Sequence, residues 1–304
     1  MDKAAIVGVA QTKYERRKKG QIFADMVFDV TRAALEDADL TINDIDNIVT
    51  ISNDFFDGRT ISGMAVGDAC GGAKDKNIST VSGDGSFGAF YGLMRVLSGY
   101  KATLVVAHYK GSESNVKIAT NGMFDPIYHR HLGLDAISSA ALQANVYMSK
   151  YGIREEDIAK VSVKNHGNAK NNPFAQLPMD ITVADVMKSR KIAAPLKLLD
   201  CCPVSDGAAA IIIADEESAG KGKKKPVWIK GVSHCCEDYF LGDRDLSNPV
   251  ALKAAAKRAY EMAGIRNPIE DINVAEILDV QLHGAPVAGR AWILRIRGRT
   301  YADR

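Results

Sequence analysis

The sequence predicts an α/β fold built on a largely parallel sheet, and three observations support this prediction. Short runs without charged residues, typical of strands buried on both faces, alternate with stretches of helical spacing. The composition is that of a folded globular protein, with 46% hydrophobic and 25% charged residues. A helix followed by a strand near the N-terminus also recurs in the second half of the chain. Together these features exclude a disordered or fibrous chain.

The alternation of elements can be followed along most of the chain. Residues 102–108, ATLVVAH, contain no charged residue, and residues 22–40 place apolar side chains three and four positions apart. The predicted strands are residues 4–10, 44–52, 77–82, 102–108, 208–214 and 227–232. The predicted helices are residues 22–40, 88–98, 134–150, 182–189 and 248–264. Residues 111–190, which include the Asn-rich residues 165–173, break this rhythm, and we predict a loop or cap region over the sheet there.

An internal repeat predicts two similar halves. The letters that recur 225 positions later are Ala34, Glu36 and Ala38, which correspond to Ala259, Glu261 and Ala263. An Asp-Ile pair follows in each copy, at residues 44–45 and 271–272. The order of elements agrees as well as the letters. The first copy continues through further strands and a helix, whereas the chain ends before the second does, so the second half is predicted to be incomplete.

Charge and cysteine usage limit the possible functions. The chain has 39 basic and 37 acidic residues, a balance that does not indicate nucleic-acid binding. Five cysteines are too few for a disulfide scaffold, and four of them are neighbours in pairs. We therefore expect a cytoplasmic protein. No signal peptide, membrane-spanning apolar run or nucleotide-phosphate loop is apparent.

Two long motifs and the opening strand carry a family resemblance. Residues 161–176 read VSVKNHGNAKNNPFAQ, residues 195–219 read PLKLLDCCPVSDGAAAIIIADEESA, and residues 4–14 read AAIVGVAQTKY. They resemble the thiolase superfamily, in particular the branch of sterol-carrier-type thiolases and of thiolase-like proteins that work with an OB-fold, zinc-ribbon partner of the DUF35 type. The resemblance extends over residues 1 to about 280.

The resemblance implies a thiolase-like αβαβα layered fold of two similar halves, each a mixed sheet with helices, the second incomplete. The first half would be residues 1–220, including the cap region, and residues 221–280 would begin the second. The resemblance also implies acyl-transfer chemistry, thiolytic or Claisen, on coenzyme A thioesters, with no tightly bound cofactor. It further implies a dimer, or a heteromer with a DUF35-type protein or an active thiolase subunit.

The family's nucleophilic cysteine stands in an A-C-A-S-G-S-A motif, and the corresponding residues 83–89 read GDGSFGA. Asp84 therefore stands at the cysteine position. Leu278 stands where sterol-carrier-type thiolases have a histidine, and the late G-H-P motif and second cysteine are absent. The resemblance thus suggests three functions: an acyl-CoA-binding subunit, a carbon–carbon lyase of the retro-aldolase type, or a non-catalytic structural subunit.

Asp84 has two interpretations that the sequence leaves open. As an N-cap it would accept hydrogen bonds from the backbone at the start of a helix. As a general base it would take a proton at the old nucleophile position. A helix N-terminus stabilises an ionised carboxylate and so weakens it as a base. Gly85 and Ser86 beside it are candidate substrate-binding residues.

A second group of polar candidates lies in the 161–176 motif. Asn165, His166 and Asn168 are predicted either to line a thioester or pantetheine channel or to form hydrogen bonds within a loop. Residues 128–131, YHRH, would contact the acyl group or a dimer interface, or be solvated. Cys201 and Cys202 are predicted to be structural. His234, Cys235 and Cys236 resemble part of a metal site, but no second ligand pair follows, and we predict no metal.

Two basic segments remain. Residues 221–226, KGKKKP, are predicted to be a solvated linker, with a phosphate-binding patch as the alternative. Residues 281–304 contain five arginines and no lysine and match nothing in the family. We interpret this tail as a shifted reading frame, because one choice of codons gives a family-like L-G-F-C motif in the next frame. The alternative is a divergent C-terminal strand and basic tail.

Overall fold

The structure is a computed structural model that describes residues 3–58, 61–73 and 75–276. The strands are β1 Ala4–Gln11, β2 Asn47–Ile51, β3 Asn77–Val81, β4 Ala102–Lys110, β5 Lys191–Ala193, β6 Leu196–Lys197, β7 Asp206–Asp215 and β8 Val227–Trp228. The α-helices are α1 Phe23–Ala38, α2 Asp54–Asp57, α3 Ser62–Ala69, α4 Gly85–Leu97, α5 Val116–Gly122, α6 Ala136–Tyr151, α7 Glu155–Ala169, α8 Val183–Lys188, α9 Glu216–Ala219, α10 Val250–Ala263 and α11 Pro268–Asp271. None of the described helices is long and apolar enough to cross a membrane.

The described chain divides into two compact units. The first unit combines the residues up to Val116 with Val204–Lys230. The second combines Lys117–Pro203 with the described residues from Gly231 onward. The predicted boundary between residues 220 and 221 is not tested by this division and stays a prediction.

The first unit contains a six-stranded sheet in the order β3-β2-β4-β7-β1-β8. Strand β2 is parallel to β3 and β4, whereas β7 is antiparallel to both β4 and β1. The prediction of a largely parallel sheet is therefore wrong, and the sheet is mixed. Burial on both faces produces uncharged runs in either orientation, so this pattern could not distinguish a parallel strand from β7.

Helices cover both faces of this sheet. Met26, Val27 and Val30 of α1 are buried in one apolar cluster with Leu104 of β4 and Ile212 of β7. Neighbouring strand residues point to opposite faces. Helix α4 accordingly packs on the other face, where Gly92 lies against Val105 and Ile213.

The second unit is mainly helical in its described part. Helix α7 ends at Ala169, so the first half of the Asn-rich residues 165–173 lies in a helix rather than in a loop. Asparagine has a weak intrinsic preference against helix, and here the packing of Ile158 and Val161 outweighs it. Lys197, which is 2% exposed, lies beneath this helix with its ammonium 2.7 Å from Glu155.

The strand predicted at residues 227–232 is shorter in the structure. Only Val227–Trp228 pair with β1, and the chain then continues without regular structure along α10. Gly231 explains this course, because a Cβ there would lie 2.2 Å from the Ala259 carbonyl oxygen. The glycine lets the backbone approach the helix closely.

The repeat is visible in local geometry as well as in letters. In the first copy, a Cβ on Gly8 would meet the carbonyl oxygen of Ala34, as one on Gly231 would meet that of Ala259. Both helices end in a left-handed residue, Asp39 with φ 57° and Gly264 with φ 72°. The next residue in each copy, Leu40 or Ile265, then donates its N–H five residues back. The two copies therefore share a backbone path through the end of the helix.

Candidate active site at the start of helix α4

The candidate ligand site of the first unit lies at the edge of the sheet where β2 and β3 end. In open α/β sheets, ligands bind beyond the carboxyl ends of parallel strands. Strands β2 and β3 run in parallel and in register from Asn47 beside Asn77 to Ile51 beside Val81. Helix α4 begins directly beyond β3, so its N-terminus lies at this edge.

Asp84 is the N-cap of α4. Its backbone is extended, and its Oδ1 accepts a hydrogen bond of 2.9 Å from the N–H of Phe87. Its carbonyl oxygen accepts the first helical bond, from Gly88. The N-cap interpretation is thus confirmed as geometry. The carboxylate is exposed, so capping leaves it accessible from solvent.

Gly85 and Ser86 form the exposed first turn of α4. The N–H groups of a first turn have no acceptor within the helix, and they carry the positive end of the helix dipole. A Cβ on Gly85 would have no neighbouring atom within 4 Å, which leaves open space beside these N–H groups. The turn therefore offers an accessible place for a polarised oxygen.

Two cysteines are unsuited to nucleophilic attack. Cys70 is fully buried, its thiol donates to the carbonyl oxygen of Val66, and burial raises its pKa to about 12. Burial likewise raises the pKa of Cys201 to about 11. Both are protonated thiols at neutral pH, and only a thiolate is a strong nucleophile.

The polar candidates of the 161–176 motif lie on α7 in the second unit, where they form no loop. Asn165 and Asn168 are exposed. His166 is half-buried, and its Nδ1 lies 2.9 Å from the carbonyl oxygen of Leu177. A carbonyl can only accept, so Nδ1 donates its N–H in this contact. His166 thereby holds residues 177–179 against the end of α7.

A buried ionic cluster at the same edge of the sheet was missed at the sequence level. Asp206, fully buried at the start of β7, lies opposite Lys110 at the end of β4, with 2.8 Å between Oδ2 and Nζ. Ser112 donates to it from its N–H and hydroxyl, and Lys18 from its N–H. Burial alone would raise the pKa of Asp206, but these hydrogen bonds hold it below its usual value.

This cluster fixes the loops around the site. Lys110 also donates to the carbonyl oxygen of Lys18, which ties the loop after β1 to the end of β4. The only signal in the sequence was one charged residue, Lys110, after the apolar run of β4 and another, Asp206, before the apolar run of β7. Only their antiparallel register, which letters alone do not give, shows that they pair.

The basic segment at residues 221–226 lies close to acidic side chains. Lysines of the 221–226 segment pair with carboxylates: Lys221 with Glu217, Lys223 with Asp39, and Lys224 with Asp37. These pairs favour a solvated turn over a phosphate patch. No group of three or more potential metal ligands occurs among the described residues. Leu278 and the tail at 281–304 lie outside them.

Comparison with known proteins decides the family. An acetyl-CoA acetyltransferase of Methanothermobacter thermautotrophicus is 32% identical over 292 residues, which cover 92% of this chain and 74% of that protein. The chain belongs to the thiolase superfamily. No protein-family model matches the sequence.

One further relative and one solved structure are also similar to this chain. Benzoylsuccinyl-CoA thiolase subunit BbsB of Thauera aromatica is 30% identical over 291 residues, covering 91% of this chain and 72% of the subunit. Among solved structures, an Ltp2-ChsH2(DUF35) aldolase superposes with a TM-score of 0.80 at 24% identity, over 99% of this chain and 78% of that one. The thiolase-like α/β fold predicted from the motifs is confirmed.

Proposed function

We propose that this chain binds acyl-CoA thioesters at the start of α4 and takes part in acyl transfer as a subunit of a larger complex. The observation that carries the proposal is the exposed first turn of α4 at the carboxyl edge of the sheet. N–H groups aimed at an oxygen that gains negative charge lower the barrier of acyl chemistry. In this proposal Gly85 and Ser86 hold the thioester oxygen.

The proposal places Asp84 where the family has its nucleophilic cysteine. A carboxylate there is a poor acyl acceptor at neutral pH, and it already serves as the helix cap. The cysteine that accepts the acyl group would therefore come from a second subunit. Two names support such an assembly. The Thauera relative is a thiolase subunit, and the name of the structural neighbour includes DUF35.

A carbon–carbon lyase is the second candidate, favoured by the exposed carboxylate and by the aldolase among the structural neighbours. Asp84 would take the proton from the 3-hydroxyl of a hydroxyacyl thioester. The bond between carbons 2 and 3 would then break, carbon 3 would become a ketone or aldehyde, and the electron pair would pass to the thioester as an enolate. The first turn of α4 would stabilise that enolate.

The proposed partner surface is the edge strand β3. It pairs only with β2 in the described sheet, and Ile78 is 39% exposed there. Edge strands with apolar side chains readily add a strand from another chain. We propose that either a second copy of this chain or a DUF35-type protein binds at this edge. The molar mass in solution, measured for the protein alone and after mixing with a purified DUF35-type protein, distinguishes the two. None of the five cysteines, all of them among the described residues, forms a disulfide, which supports the proposed reducing, cytoplasmic location.

One variant series separates the two roles of Asp84, as helix cap and as general base. Asparagine caps helices as well as aspartate does but cannot act as a base, whereas alanine does neither. If Asp84 is a cap alone, Asp84→Asn keeps both stability and activity, and Asp84→Ala loses about 1 kcal/mol of stability. If it is a base, Asp84→Asn loses turnover by about 100-fold or more while remaining as stable as the wild type.

The assay uses a 3-ketoacyl-CoA with and without free coenzyme A, and a 3-hydroxyacyl-CoA alone, with products identified by chromatography. Thiolysis that requires free coenzyme A supports acyl transfer. Release of a ketone or aldehyde without it supports the lyase. If neither product forms in the presence of the partner and the chain does not bind acyl-CoA, both candidate functions are overturned. That result would favour a structural subunit.

A further inference from the structure

Four reactive side chains come together outside the candidate active site, in the second unit. They are His234, Cys235 and Cys236, in the segment that follows β8, and Arg258 on α10. None of the four belongs to the candidate acyl-CoA site at the start of α4.

The segment is held against α10 at both ends. At its start, Gly231 packs on the backbone of Ala259, where even a Cβ would collide with the carbonyl oxygen. At its end, Glu237 Oε1 accepts a hydrogen bond of 2.8 Å from the N–H of Ala251 in the first turn of the helix. Cys235 lies between these two anchors, so its position relative to the helix is fixed.

Arg258 donates to Cys235. Its Nη1 lies 3.1 Å from the Cys235 Sγ, and the thiol is half-buried. A guanidinium is charged at every accessible pH, so Arg258 places a fixed positive charge beside the Cys235 sulfur, where it favours negative charge that develops on that atom. Next to it, the exposed Cys236 places its sulfur 3.9 Å from the His234 Nε2.

The other cysteines lie in different surroundings. Cys70 and Cys201 have pKa values raised to about 12 and about 11 by burial, which keeps them protonated. Cys202 is exposed and provides an internal reference for solvent access. The pair at 235–236 differs from Cys70 and Cys201, because a guanidinium contacts one sulfur and an imidazole lies beside the other.

We propose that Cys235 is a thiol-modification site that exchanges with small disulfides and thereby responds to the redox state of its surroundings. The Cys235 thiolate attacks one sulfur of the small disulfide, and a new disulfide bond forms between them as the original sulfur–sulfur bond breaks. The second half of the reagent leaves as a thiolate and takes a proton from water. Cys235 is oxidised, and the leaving sulfur is reduced.

The test is treatment of the whole protein with limiting oxidised glutathione at neutral pH, followed by peptide mass spectrometry. A Cys236→Ser background assigns the adduct to Cys235, since both cysteines occur in one peptide. We expect the mixed disulfide at Cys235 to form about tenfold faster in the wild type than in Arg258→Gln, because the guanidinium charge favours the attacking thiolate.

Arg258 supplies the matched controls. Arg258→Gln removes the charge and should slow the modification of Cys235 about tenfold, while Arg258→Lys should retain part of the wild-type rate. The rate at the exposed Cys202 should remain the same in every variant, which shows that the fold is intact. An unchanged rate at Cys235 in Arg258→Gln would overturn the proposal.

Discussion

Asp206 is the residue on which the loops around the active-site edge depend. Its carboxylate is fully buried and receives hydrogen bonds from Lys110, Ser112 and the backbone of Lys18. Asp206→Asn would leave the Lys110 ammonium buried without a counter-charge, and we expect it to lower the free energy of unfolding by about 3–5 kcal/mol in urea titrations. Glu216→Gln, which breaks an exposed pair with Lys3, should change it by no more than about 0.5 kcal/mol. Similar losses in both variants would contradict this account.

The same carboxylate predicts a pH dependence. Because hydrogen bonds hold the pKa of Asp206 below its usual value, its stabilising contribution is fully present above about pH 4 and is lost as the pH falls through the lowered value. The stability of the wild type should therefore decline more steeply on acidification below about pH 4 than that of Asp206→Asn. Parallel stability curves of the two proteins over that range would exclude this role.

At the scale of elements, the position of α4 depends on glycines that face the sheet. A Cβ on Gly92 would lie 2.4 Å from Val105 Cγ2, and valine has little freedom to move aside. We expect Gly92→Ala to lower the free energy of unfolding by about 1–3 kcal/mol through overpacking. Gly167→Ala, in α7 with no atom within 4 Å, should raise it by about 0.5–1 kcal/mol. Thermal unfolding of the two variants measures both signs, and a neutral Gly92→Ala would mean that α4 is not tightly packed.

The elements also show which sequence signals were sufficient. Helical spacing predicted α1, α6, α8 and α10 close to their observed bounds, because each has an apolar face with a period near 3.6. The composition of residues 165–169 favoured a loop, but apolar contacts earlier in α7 carry the helix through them. The antiparallel orientation of β7 could not be predicted from the sequence, because it depends on the end at which the chain returns to the sheet after residues 117–203.

At the scale of the whole molecule, motifs predicted the family and the fold, but chemistry was harder to predict. The repeat predicted two similar copies, and the helix ends at Asp39 and Gly264 follow one backbone path. The N-cap was one of the two interpretations that the sequence left open for Asp84, because a short carboxylate before a helix has a known local partner. The Asp206 cluster and the Cys235–Arg258 contact join residues distant in sequence or on different elements, and no local pattern indicates such pairs.

The central claim is that acyl-CoA binds at the first turn of α4. Hydrogen-exchange mass spectrometry of the whole protein, with and without saturating acetyl-CoA, tests it directly. We predict slower exchange in peptides that contain Gly85 and Ser86, with the segment at Cys235 unchanged as the internal reference. Binding without protection at the start of α4, or no binding by a folded protein, would contradict the account.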